Sequence, residues 1–75
     1  MGNLYDRRVG TSDENIRGHI YRPNGTSDEY RWTLKHWYSE IDPPDLMDTG
    51  VAMSPNDAFK ALYRSIRGFD LEPQG

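Results

Sequence analysis

YRWTLKHWY, Tyr30 to Tyr38, is the stretch whose period decides the fold. In an extended chain Trp32 and Leu34 fall on one side, while Arg31, Thr33, Lys35 and Trp37 fall on the other; a helix would scatter the same residues around its axis. Aromatic side chains dominate the stretch, as they do in pleated, half-buried strands. NIRGHIYR, Asn15 to Arg22, has the same period, with Ile16, Gly18 and Ile20 opposed to Arg17, His19 and Tyr21. PNGTSDE lies between the two, and together they predict a β-hairpin.

The pentapeptide GTSDE occurs twice, at Gly10–Glu14 and Gly25–Glu29. Thr11 and Glu14, like Thr26 and Glu29, have the spacing of a helical capping box. The alternation that follows each copy excludes a helix, so both read as polar lead-ins to strands in which glycine supplies the turn. The copies do not continue in register, since Ile16 and Arg17 would align with Arg31 and Trp32. They are a recurrent turn and not a repeat architecture.

Downstream, TGVAM at Thr49–Met53 predicts a third strand, and Ser54-Pro55-Asn56-Asp57 predicts a helix start. Ser54 offers a capping hydroxyl, Pro55 suits the first helical position, and Asp57 places a carboxylate where the helix dipole favours it. Ala58, Phe59, Leu62 and Ile66 share one face, Lys60, Arg64 and Arg67 the opposite one, and Gly68 is placed to end the helix in a left-handed conformation. The expected fold class is α+β: a three-stranded antiparallel meander followed by one C-terminal helix packed on one face (βββα). Residues 15–53 would supply the sheet, 54–68 the helix and 69–75 a frayed tail, all in a single domain spanning 1–75. Residues 1–14 fit either an edge strand through Leu4, Tyr5 and Val9 or a mobile arm. The expected core joins Ile16, Ile20, Trp32, Leu34, Val51 and Met53 to Phe59, Leu62 and Ile66.

A 75-residue chain with 35% hydrophobic residues has a thin core, which its large aromatic side chains must fill. Without cysteine it has neither disulfides nor thiolate metal ligands. No apolar run approaches membrane-spanning length, and MGNLYDRRVG lacks the apolar core and cleavage region of a signal peptide; the expectation is a cytoplasmic protein with no membrane partner. Net charge is −3 but unevenly spread. Residues 1–38 carry six Lys/Arg against five Asp/Glu and residues 39–75 three against seven, which argues against a uniformly basic nucleic-acid binder and for a divided surface.

Two surfaces are candidates for function. The first is SEIDPPDLMD, Ser39 to Asp48, where Glu40, Asp42, Asp45 and Asp48 surround Ile41 and Leu46 and a proline pair stiffens the backbone. A pre-ordered acidic loop with apolar anchors, joined by Trp37, suits docking to a partner protein with a basic surface. The bland alternative tucks Ile41 and Leu46 under the sheet edge. Pairing of the loop with the basic helix stripe would also permit a homodimer. The second is the open sheet face, where Arg17, His19, Tyr21, Arg31, Lys35 and Trp37 combine the cations and rings that phosphate contact and base stacking require, unless they are ordinary cross-strand pairs. The element order is similar, in topology, to that of small three-stranded DNA-binding domains on phage integrases.

His19 and His36 could serve as an acid and base only if the strand register brings them to one face. An even register sum would part them. No nucleophile elbow, phosphate loop, zinc spacing or calcium-loop order is present, so neither catalysis, metal nor cofactor is expected. Size and composition suit a non-enzymatic protein-interaction module, such as the accessory or inhibitor proteins of phages and other mobile elements. Nucleic-acid binding by the open face is the alternative.

Overall fold

The computed structural model describes residues 5–23 and 28–74. Six elements follow in order: β1 (Asp6–Thr11), β2 (Ile16–Tyr21), β3 (Tyr30–His36), β4 (Asp45–Ala52), α1 (Pro55–Gly68) and β5 (Pro73–Gln74). The α+β class and the antiparallel meander with one helix hold, but the sheet has five strands where three were expected, in the order β4-β3-β2-β1-β5. Both extra strands come from the chain ends. Residues 6–11 form a strand, as one alternative for 1–14 had it, but not an edge: the tail expected to fray returns to pair with the outer side of β1 through Gly10–Gln74 and Thr11–Pro73, and Leu4 lies outside the described residues. The Ser12 amide donates to the Glu72 carbonyl at 2.9 Å and the Glu72 amide to the Ser12 hydroxyl at 3.0 Å, which fixes that return.

The chain must cross the whole sheet between β4 at one edge and β5 at the other, and α1 is that crossing. Its 14 residues span about 21 Å, close to the roughly 19 Å between the first and fifth strands of a sheet. Ser54 caps it as expected, its hydroxyl accepting from the Asp57 amide at 3.2 Å. The end differs. Gly68 stays helical, and Asp70 adopts the left-handed conformation at φ 61°, a region that aspartate tolerates better than most residues. The Leu71 amide then closes back onto the Ile66 carbonyl at 3.2 Å, turning the tail toward β1.

The core lies between the helix and one sheet face. Val9, Ile16, Ile20, Trp32 and Leu34 meet Ala58, Leu62 and Ile66, all buried, with Phe59 half-buried beside them. Gly18 and Gly50 permit this packing by having no side chain: a Cβ on Gly18 would lie 2.7 Å from a Leu62 methyl, and one on Gly50 2.6 Å from the Trp32 indole nitrogen. Val51 and Met53 do not join the core; they are 52% and 67% exposed. The register explains Val51. Trp32 pairs with Gly50, so Gly50 and Ala52 face the helix and Val51 faces away. Met53 lies beyond Ala52, the last paired residue of β4. Among the described residues no helix is long and apolar enough to cross a membrane.

The first GTSDEN is the β1–β2 turn. The Thr11 hydroxyl donates to the Ile16 carbonyl at 2.8 Å and accepts from the Asp13 amide at 3.1 Å, while the Asp13 carboxylate accepts from the Asn15 amide at 2.9 Å. The second copy leads into β3 at Tyr30, although its Gly25–Ser27 lies outside the described residues.

Candidate functional site

The open face is organised by register. β1 sets Arg8 opposite His19 and Asp6 opposite Tyr21; β2 sets Arg17, His19 and Tyr21 opposite Lys35, Thr33 and Arg31; β4 sets Val51 opposite Arg31 and Thr49 opposite Thr33. Of the open-face residues expected from the sequence, Arg17, His19, Tyr21, Arg31 and Lys35 share one face of β2 and β3, and Trp37 follows the last residue of β3. Arg8 and Asp6 join them from a strand whose alternation is weak in the sequence, with Arg7 falling on the helix side beside Val9. The Asp6 carboxylate takes the His19 imidazole at 2.7 Å and reaches Arg8 at only 3.9 Å. No carboxylate among the described residues pairs with Arg17 or Lys35 within ion-pair distance. Arg17 lies 5.6 Å from the centre of the Trp37 ring, and His19 stacks on Tyr21 at 4.9 Å.

Between these side chains the face sinks into a depression of about 300 Å³, lined by Arg8, Arg17, His19, Thr33, Lys35 and Trp37. Thr33, one of the lining residues, carries a polar group sealed beneath the depression that sequence reading does not single out. Thr33 is 7% exposed and its hydroxyl has no hydrogen-bond partner among the described residues. A buried hydroxyl without a partner loses its hydration for nothing in return, which is uncommon in folded chains. Neighbouring threonines do not share this condition. Thr49 donates to the Trp32 carbonyl at 2.9 Å, and Thr11 is committed to its turn.

The acidic segment is placed differently from its expectation as one loop. Only residues up to Pro44 form a connection; Asp45, Leu46 and Asp48 belong to β4. A bulge opposite Leu34 and Lys35, with Met47 the extra residue, turns Leu46 to the open face and Asp48 to the helix. There half-buried Asp48 accepts the Ser65 hydroxyl at 2.6 Å. The remaining loop is folded by Ser39, whose hydroxyl accepts from the Asp42 amide at 3.0 Å and the Ile41 amide at 3.3 Å. At its end the Tyr38 phenol is held above its ordinary value of 10 by a hydrogen bond to Asp45 and by that carboxylate's charge. Ile41 is 94% exposed at the turn and Leu46 57% exposed, so neither is tucked under the sheet.

Trp37 stands between the two surfaces. Its amide donates to the Asn15 carbonyl at 2.7 Å, and its half-buried ring borders both the depression and a second recess of about 370 Å³ shared with Tyr38 and Glu40. The β2–β3 register has an even sum: His19 pairs with Thr33 and Ile16 with His36, which puts the two imidazoles on opposite faces. No group of three or more His, Asp or Glu side chains able to hold a metal ion occurs among the described residues. No family model, curated protein or solved structure matches this chain.

Proposed function

We propose that the protein is a small, non-enzymatic interaction module that docks onto a basic protein surface through residues 39–46 and the free edge of β4. One observation carries the reading: Ile41 projects almost fully into solvent from a turn that Ser39 has already ordered. An apolar side chain presented on a pre-folded turn loses little conformational freedom on binding, so its burial contributes to affinity nearly undiminished. Glu40, Asp42 and Asp45 surround it with negative charge, which speeds encounter with a basic partner. Leu46 and Val51 extend the apolar contact along β4, a strand at the edge of the sheet. An accessory or inhibitor role would act by covering the partner's own basic site. Affinity capture from the source organism's extract, with wild-type and Ile41→Asp baits, tests this. A basic protein retained by the first and lost from the second is the expected result; equal retention contradicts it.

A second reading, nucleic-acid binding by the open face, is favoured by Arg8, Arg17 and Lys35 lining one depression with Trp37, and by Arg31 farther along the same face of β3. Phosphate contacts release counterions, so affinity for an oligonucleotide should fall steeply as salt rises. Titration at two salt concentrations measures this, and absence of binding at the lower one removes the reading.

A further inference from the structure

We infer that the depression over Thr33 is a binding site for a phosphomonoester, a terminal phosphate joined to a planar base as in a nucleoside monophosphate. It deepens the nucleic-acid reading by naming a ligand for the same face, and it is independent of docking through residues 39–46. The Thr33 hydroxyl makes no bond that stabilises the folded chain and is sealed just beneath a hollow that Thr33 lines and cations ring, where a turn about its first side-chain bond would present it to a ligand. Such a group has a ready role as donor to an oxyanion. Around it Arg17 and Lys35 have no carboxylate partner among the described residues, and Arg8 is only loosely held by Asp6.

Charge selects among oxyanions. Asp6 offsets part of the positive charge, and what is left suits the nearly two negative charges of a terminal phosphate near neutral pH better than the single charge of a carboxylate or an internal diester. Size is consistent. About 300 Å³ lies at the lower end of small-molecule sites, enough for a phosphate and its attached ring but not for an extended polymer. At the rim, Trp37 and the Arg17 guanidinium beside it supply the flat surfaces on which bases stack. The phosphate would lie over Thr33 between Arg8, Arg17 and Lys35, with the base toward Trp37.

The test is an amide NMR titration of the full chain with adenosine 5′-monophosphate, inorganic phosphate and adenosine, using wild type, Thr33→Val and Lys35→Gln. Saturable shifts centred on Thr33 and Gly10 are expected with the monophosphate, weaker ones with phosphate, and none with adenosine at the same concentrations. Thr33→Val keeps the shape and removes the donor. It should weaken monophosphate binding about 10-fold or more while leaving the melting temperature unchanged or raised, because the lost hydroxyl bonds nothing in the folded chain. Lys35→Gln should weaken it comparably. The proposal is overturned if neither monophosphate nor phosphate binds at millimolar concentration, if Thr33→Val binds like wild type, or if that variant melts earlier. Short single strands with and without a 5′-phosphate separate the sources. Binding that requires the 5′-phosphate assigns strand ends, and monophosphate binding without strand binding assigns free nucleotides. Strands bound regardless of the 5′-phosphate, with the monophosphate silent, overturn the pocket and leave the nucleic-acid reading standing.

Discussion

At the scale of single residues, the smallest side chains decide most. Gly18 lets Leu62 lie on the strand backbone and Gly50 does the same for the Trp32 ring, so helix and sheet approach more closely than side chains on both would allow. Gly18→Ala would push a methyl group to 2.7 Å from a fully buried Leu62 methyl. Overpacking of this kind costs about 1–3 kcal/mol, and urea unfolding of the variant should show a midpoint lowered accordingly. An unchanged midpoint would mean that the helix is free to shift away. Alternation made the inward direction of Gly18 legible in the sequence; nothing there said that Leu62 would be its neighbour. Thr33 was equally legible as an outward residue, but its missing partner was not, because a hydroxyl's satisfaction depends on strands far away in sequence.

At the scale of elements, the strands with clear alternation and the capped helix were readable, while β4's first half, β5 and the helix end were not. Asp45 and Asp48 belong to a residue type depleted in strands, and only pairing with β3, through a bulge, draws them into the sheet. β5 is two residues long, too short to leave a period. Because the strand begins at Asp45, the pull of this carboxylate on the Tyr38 phenol acts as a clasp across the 39–44 connection. The raised phenol fixes the sign of the pH effect. A folded-state value above the unfolded one means that the clasp contributes stability below pH 10 and loses it as pH rises through the higher folded value. Asp45→Asn removes both the charge and the strongest acceptor, so the Tyr38 ring is expected to ionise nearer 10 in an NMR titration of its carbons. No movement of the Tyr38 transition would show that the clasp does not form in solution.

At the scale of the whole molecule, charge and burial divide the described residues into a core and two exposed regions of different character. Among the described residues the sheet's inner face and the helix hold a core of eight buried hydrophobic side chains, and a core that small leaves little to spare for binding groups that double as structural ones. Ile41, Leu46 and the loop carboxylates stand outside it, as do the cations of the open face. The division of faces could be read from the sequence through Trp32 and Trp37; which exposed groups come together could not, since that depends on register and on the bulge. The central claim is that recognition by residues 39–46 can be abolished without disturbing the fold. The direct measurement is paired: equilibrium unfolding of the Ile41→Asp, Leu46→Asp double variant, and its capture of the partner that wild type retains. A stability within about 0.5 kcal/mol of wild type, as for exposed sites in general, together with loss of the partner, is the predicted result. Retention of the partner, or a loss of stability large enough to account for its absence, would contradict it.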